Sequence, residues 1–177
     1  LPTWALSNHD SPRVASRIGD EQARALALFV FGLPGSAYVF AGQELGLPDG
    51  QLQDSDRQDP TFFRTNGAIK GRDGARVPLP WSGDTTPFGF STAKPWLPIS
   101  QSWKDLTIEN ELADPKSSLH LYKNALELRK EFLVGAGGIT WLESSQHGHK
   151  NDSLLSYSRG SITCLLYTSD AADDLLC

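Results

Sequence analysis

The side chains equipped to act on a substrate fall in two short runs. Asn8-His9-Asp10 sets an amide, an imidazole and a carboxylate in succession, and Arg13 follows three residues after the carboxylate. This run comes directly after the apolar stretch Thr3-Trp4-Ala5-Leu6. The C-terminal end of a parallel strand is where (β/α)-barrel enzymes hold their catalytic groups. Taken alone, the three residues favour a plainer reading, in which Asp10 caps a turn and His9 is a loop histidine. Arg13 is placed to pair with a catalytic-site carboxylate and keep it ionised, or equally to serve packing. The second run is Arg72-Asp73-Gly74-Ala75-Arg76. A guanidinium stays charged and presents several donors in a rigid fork, but a surface ion pair is worth little. Glu44, in Gly42-Gln43-Glu44-Leu45-Gly46, is a further carboxylate that invites a catalytic role. His147 and His149 lie in a polar stretch, where two histidines without zinc-type spacing read as solvated.

These runs need elements to hold them. Thr3–Leu6 reads as a buried strand ending in a polar loop. Asp20 is a fair N-cap for a helix from Glu21 to about Phe31, with acids in its first turn. Gly32 and then Pro34-Gly35 stop that helix. Ala37–Phe40 is the next strand, closed by Gly42. Strand, helix and strand at this spacing form a βαβ unit, which predicts a parallel sheet with a right-handed crossover. Residues 46–98 are rich in Gly, Pro, Asp and aromatics and carry no clean period, and a loop this long is usually functional. Asp114-Pro115 predicts the start of a helix with Leu119, Tyr122, Ala125, Leu126 and Phe132 on its buried face. Arg129-Lys130 suit its C-terminal end. After Gly135-Ala136-Gly137-Gly138, residues 139–143 and 154–159 alternate like strands, with Arg159-Gly160-Ser161 as a hairpin turn.

Composition narrows the class. A net charge of −5 from 16 basic and 21 acidic residues argues against a nucleic-acid partner, which needs clustered Lys and Arg. No apolar run approaches the roughly 20 residues of a membrane helix. The two cysteines, Cys164 and Cys177, stand at one end of the chain, so a disulfide scaffold is not expected and a reducing, cytoplasmic compartment is. Position 1 is Leu, with no basic leader before it, and the chain reads as beginning mid-protein.

Three longer strings carry a resemblance. Trp4 to Arg17, with Asn8-His9-Asp10 inside it, resembles the fourth conserved stretch of glycoside hydrolase family 13, the α-amylase family. Leu33 to Gly46 is similar to that family's eighth barrel strand and adjoining loop. Gly71-Arg72-Asp73-Gly74-Ala75-Arg76-Val77-Pro78-Leu79-Pro80-Trp81 is similar to the long loop of its α-glucosidase and oligo-1,6-glucosidase branch. The likeness runs from Trp4 to about Thr163. A different resemblance covers Cys164 to Asp174, which looks like a frame translation of a sequencing-library adaptor.

The resemblance implies the C-terminal part of a (β/α)8 TIM barrel in residues 1–134, with the long loop at 46–113. The start of an antiparallel β domain would occupy 135–163 and a non-native tail 164–177. It implies a retaining, exo-acting α-glucosidase as the parent, acting on α-linked gluco-oligosaccharides, with no metal or organic cofactor. Asp10 would bind hydroxyls of the sugar at the cleavage point, more tightly in the transition state than in the ground state. His9 would donate to the same sugar. Of the two arginines, Arg72 is the preferred sugar contact and Arg76 its partner, with Arg13 a third candidate. Glu44 becomes a structural residue in this frame. Trp81, Trp96 and Trp103 read as pins for the loop, with Phe88 and Phe90 candidates for lining a subsite. No stretch matches the family's nucleophile or acid/base motifs, so this segment alone is expected to hydrolyse nothing. Two alternatives remain: a transglycosylating relative of the sucrose isomerase or trehalose synthase type, and a non-catalytic amylase-like scaffold of a transporter subunit.

Overall fold

A computed structural model describes residues 2–142 and 154–167. His147, His149 and Cys177 lie outside the described residues. The elements run β1 (Thr3–Ala5), α1 (Val14–Ile18), α2 (Asp20–Gly32), β2 (Ser36–Tyr38), α3 (Pro60–Arg64), α4 (Ile108–Ala113), α5 (Ser118–Phe132), β3 (Thr140–Leu142), β4 (Leu154–Arg159) and β5 (Ile162–Tyr167). Short 3-10 turns at Asp54–Asp56, Asp73–Arg76 and Gln101–Leu106 punctuate the long connection between β2 and α4. The chain groups into two compact units. One draws on Leu1–Trp4, Ala25–Ala37 and Asn124–Cys177, the other on Ala5–Arg24 and Tyr38–Lys123.

The second unit holds the candidate residues. Its core is built from the long connection itself: Leu45, Leu47, Val77, Phe88, Leu97, Ile99 and Trp103 bury one another, with Leu52, Leu79, Leu106, Ile108 and Leu119 packed around them. Burial of this many apolar side chains, at about 1.5–3 kcal/mol each, lets a segment without periodicity hold one shape. Trp103 is a pin, as expected, but Phe88 is too. Phe88 is wholly buried among the aliphatic side chains, so it cannot line an open subsite, whereas Phe90, Trp81 and Trp96 are exposed. Five short helical pieces order residues 46–113, which carry no 3.6-residue stripe because most are a single turn. Pro60 starts α3, with the Asp59 carboxylate accepting the Thr61 N–H at 2.9 Å as the cap.

In the first unit Phe29, Leu33 and Tyr157 form the centre, with Trp4, Ile139, Cys164 and Leu166 against them. The Tyr157 hydroxyl donates to the Phe29 carbonyl at 2.6 Å. Two arginines collect the carbonyls that α2 leaves free at its C-terminus. Arg129 donates to Phe31, Leu33 and Gly35, and Arg159 to Gly32 and Leu33 as well as Leu133 and Gly137. A cation is favoured there by the helix dipole. β3, β4 and β5 make an antiparallel sheet in that order, with Gly160 at φ 57° in the β4–β5 turn.

Several expectations are corrected. α5 starts at Ser118, not Pro115, because Asp114 closes a turn: its carboxylate takes the Lys116 N–H at 2.9 Å and its carbonyl the Ser117 N–H. Ser117 then receives the His120 N–H. Leu126 and Phe132 on α5 are exposed, whereas Tyr122 and Ala125 are buried. β1 and β2 pair in a two-stranded sheet and keep exposed flanks, since a barrel strand is covered only when strands lie on both sides of it. β5 does not end at Thr163. It pairs through Tyr167 opposite Leu154, because Ile162, Cys164 and Leu166 alternate with exposed neighbours at the strand period.

Candidate active site

Asp10 reaches its place through the polar loop after β1. The Asn8 side chain folds that loop, accepting the Asp10 N–H at 2.8 Å and the Ser11 hydroxyl at 3.2 Å. Ser7, buried, accepts the Val14 N–H at 2.8 Å and anchors the far side of the loop at α1. The turn is therefore capped by Asn8, and the Asp10 carboxylate is left to side chains. Its Oδ1 accepts from Arg72 Nη1 at 2.8 Å and from Arg76 Nη2 at 3.0 Å, while Oδ2 lies 3.4 Å from His9 Nε2. The Arg72 hydrogen bond, helped by the neighbouring His9, Arg72 and Arg76, holds the Asp10 carboxyl below its ordinary value and outweighs the opposing effect of desolvation. Asp10 is thus an exposed, firmly ionised carboxylate.

The two arginines are held unequally. Arg76 donates from Nε to the His9 carbonyl at 2.9 Å in addition to its Asp10 contact. Arg72 is clasped by Asp59, a carboxylate that no sequence motif pointed to. The hydrogen bonds to Asp59 and Asp10 push the Arg72 guanidinium above its ordinary value. Asp59 is pushed well below the usual carboxylate range, first by the Arg72 side chain and then by the Thr61 N–H. The Asp59-Pro60 dipeptide was the available signal, since Asp before Pro marks a helix start.

A cleft of about 220 Å³ opens beside Asp10, lined by Asp49, Arg57, Lys70, Arg72 and the backbone of Gly50, Gly71 and Gly74. Space is tight at Gly74, where an added Cβ would lie 3.1 Å from Asp49 Cβ and 3.3 Å from the Gly50 carbonyl oxygen. Arg57 and Lys70 flank the Phe62 ring, and Lys70 Nζ sits on both Asp54 oxygens at 2.8 Å. With its charges largely paired, the cleft offers neutral hydroxyl groups many donors and acceptors without a strong net field.

Arg13 stands apart from this group. It is 3% exposed, and its guanidinium donates to the carbonyls of Ala41 at 2.8 Å and Ala75 at 2.9 Å and lies over the Phe40 ring. Its own N–H is accepted by Asp49 Oδ1 at 2.8 Å. Buried, with its donors on backbone carbonyls, it braces the loops behind Asp10. Glu44 likewise turns inward and accepts the Gly42 N–H at 2.9 Å. Among the described residues no group of three or more His, Cys, Asp or Glu could hold a metal ion, and no helix is long and apolar enough to cross a membrane.

Known proteins share this arrangement of sequence. The family model described as "Alpha amylase, catalytic domain" matches residues 1–136. The protein named "Probable alpha-glucosidase" from Rhizobium meliloti (strain 1021) is 36% identical over 176 residues, covering 96% of this chain and 31% of that protein. An oligo-1,6-glucosidase from Parageobacillus thermoglucosidasius is 31% identical over 150 residues, covering 71% of this chain and 26% of its own length. Among solved structures, the trehalulose synthase MutB from Pseudomonas mesoacidophila MX-45 superposes with a TM-score of 0.73 at 29% identity, over 89% of this chain and 32% of that one. The chain thus spans less than a third of the length of these relatives. With the catalytic-domain model matched over residues 1–136 and the Asn8-His9-Asp10 and Arg72–Arg76 runs meeting at one carboxylate, this chain belongs to the α-amylase family.

Proposed function

We propose that the full-length protein carrying this chain is a retaining, exo-acting α-glucosidase that releases terminal α-linked glucose from maltose- or isomaltose-like oligosaccharides. The observation that best supports it is Asp10 itself: an exposed carboxylate kept ionised by Arg72 and Arg76 at the rim of a polar cleft. In this reading the nucleophilic and acid/base carboxylates are supplied by parts of the protein outside this chain. The nucleophile attacks the anomeric carbon as the acid protonates the departing oxygen, and water then cleaves the glycosyl-enzyme. Asp10 and His9 hydrogen-bond hydroxyls of the glucose while it is distorted, so their contacts favour the transition state. Arg72 and Arg76 close the pocket around the non-reducing end. The strands β3 to β5 open a C-terminal antiparallel domain, and the scarcity of cysteines supports a cytoplasmic location.

The likeness to a trehalulose synthase, at 29% identity and a TM-score of 0.73, favours a second reading in which the glycosyl-enzyme is passed to another sugar and not to water. One experiment separates the two. The full-length protein is given 4-nitrophenyl α-glucoside, maltose, isomaltose and sucrose, and products are followed by NMR. Glucose released first as the α-anomer supports the glucosidase. A sucrose isomer with little free glucose supports transfer. No turnover of any of the four would move the non-catalytic scaffold ahead of both.

A further inference from the structure

We infer that Asp59 is a positioning residue for the sugar site, acting through Arg72. The inference rests on the reading of Asp10 as a sugar-binding carboxylate. The Asp59 side chain has no exposed surface, and burying a carboxylate is costly unless it is paired and fully hydrogen-bonded. Asp59 is both. Oδ1 accepts from the Thr61 N–H at 2.9 Å and from Arg72 Nη2 at 3.3 Å, and Oδ2 accepts from Arg72 Nε at 2.7 Å and the Arg72 N–H at 2.8 Å. Three of these four donors belong to one arginine, from its backbone to its guanidinium. The plane of the guanidinium is thereby set before any ligand arrives, and Nη1 is the nitrogen directed at Asp10.

Two features keep Asp59 where it can do this. Gly71 sits at φ +75°, and a Cβ there would lie 2.7 Å from the Asp59 Cβ, so the close approach of the carboxylate to the arginine backbone needs a glycine. Asp73, also buried, accepts the N–H groups of Gln58 and Asp59 through one oxygen at 2.8 Å each, which holds the chain entering α3. A series runs from Asp73 through Asp59 and Arg72 to Asp10. Arg76 is held by a backbone carbonyl where Arg72 is held by a buried carboxylate, so Arg72 is the pre-set sugar contact of the two, with little ordering of its side chain left to be done on binding.

The test is a double-mutant cycle in the full-length enzyme, read as kcat and KM on 4-nitrophenyl α-glucoside, with Asp10→Asn as a control and a melting temperature for each variant. Asp59→Asn keeps the shape and the Thr61 cap but removes the charge. It is expected to lower kcat/KM about 10- to 100-fold while changing an Arg72→Ala enzyme by less than about twofold. If Asp59→Asn costs the same factor with and without Arg72, or leaves the parent within about twofold of full activity, Asp59 is merely structural and the inference is overturned. In that case the Asp10→Asn control still shows whether Asp10 is catalytic. If Asp10→Asn keeps full kcat, the reading beneath the inference fails and takes it along. Should Asp59→Asn aggregate, Asp59→Ser keeps a capping hydroxyl and is judged in the same cycle by the same criteria.

Discussion

Asp10 is exposed and tied to three neighbours, so removing its charge changes little in the fold and much in the site. Asp10→Asn in the full-length enzyme is expected to lower kcat by roughly two to four orders of magnitude with a small change in KM, because the lost contact is strongest in the transition state. Steady-state kinetics on maltose check it, and an unchanged kcat would sink the assignment. Asp59 answers to pH. Its folded value lies below the unfolded one, so its contribution to stability is complete above about pH 4 and is lost as the pH falls toward the depressed folded value. Urea melts across the acid range should show parent stability falling steeply below about pH 4, and Asp59→Asn, weaker at neutral pH, falling less there. At this scale the sequence was a partial guide. Asn8-His9-Asp10 and the two loop arginines carry a recognisable pattern, but 62 positions separate Asp10 from Arg72 and nothing local shows that they touch. Asp59 carries no such pattern, because its role depends on a partner 13 residues away. Arg13 was ambiguous, because an arginine near a carboxylate looks alike whether it faces the cleft or the backbone behind it.

Elements were legible where a period or a stop signal stood alone. α2 matched its expected bounds to a residue at each end, with acids in the first turn and Pro34-Gly35 after it. The Asp-Pro signal was ambiguous: at Asp59-Pro60 it opens α3, whereas at Asp114-Pro115 it makes a turn and the helix waits for Ser118. The residues after each proline make the difference, since Ser117 offers its hydroxyl to the His120 N–H and so caps a helix that starts later. The segment from 46 to 113 could not be read at all by periodicity, because its order comes from aromatic and aliphatic side chains distant in sequence. Gly71 is the sharpest point in it. Gly71→Ala combines a left-handed backbone with the approach to Asp59, and is expected to cost about 1–3 kcal/mol of stability, measured by thermal or urea unfolding. A loss near zero would mean that the α3 segment moves aside and that Asp59 is held less firmly than its contacts indicate.

For the whole molecule, the α-amylase family was legible from three strings in order, while the barrel was not legible from pattern alone. Two strands and the helices around them are a small part of a closed sheet, and closure is a property of all the strands together. The described residues carry sizeable apolar surface. Leu128, Val134 and Trp141 are more than half exposed, and a groove of about 120 Å³ lined by Leu28, Phe31, Leu128 and Leu133 runs along α2 and α5. Exposed apolar groups of this size mark surfaces that associate. The chain expressed by itself is therefore expected to self-associate, seen as a sedimentation coefficient that rises with concentration. A single monomeric species at every concentration would show that this surface is tolerated in water.

The two carboxylates on Arg72 differ most in their access to the medium: the Asp10 side chain is 56% exposed and that of Asp59 not at all. At about 1 M salt the screening length shrinks to roughly 3 Å, so dissolved ions weaken the outer pair and leave the inner one nearly untouched. Concentrated electrolyte would then loosen Asp10 from the arginine without unseating the arginine itself. A neutral sugar competes with that outer pair for the same donors, so its binding should tolerate brine better than a site built from charge alone.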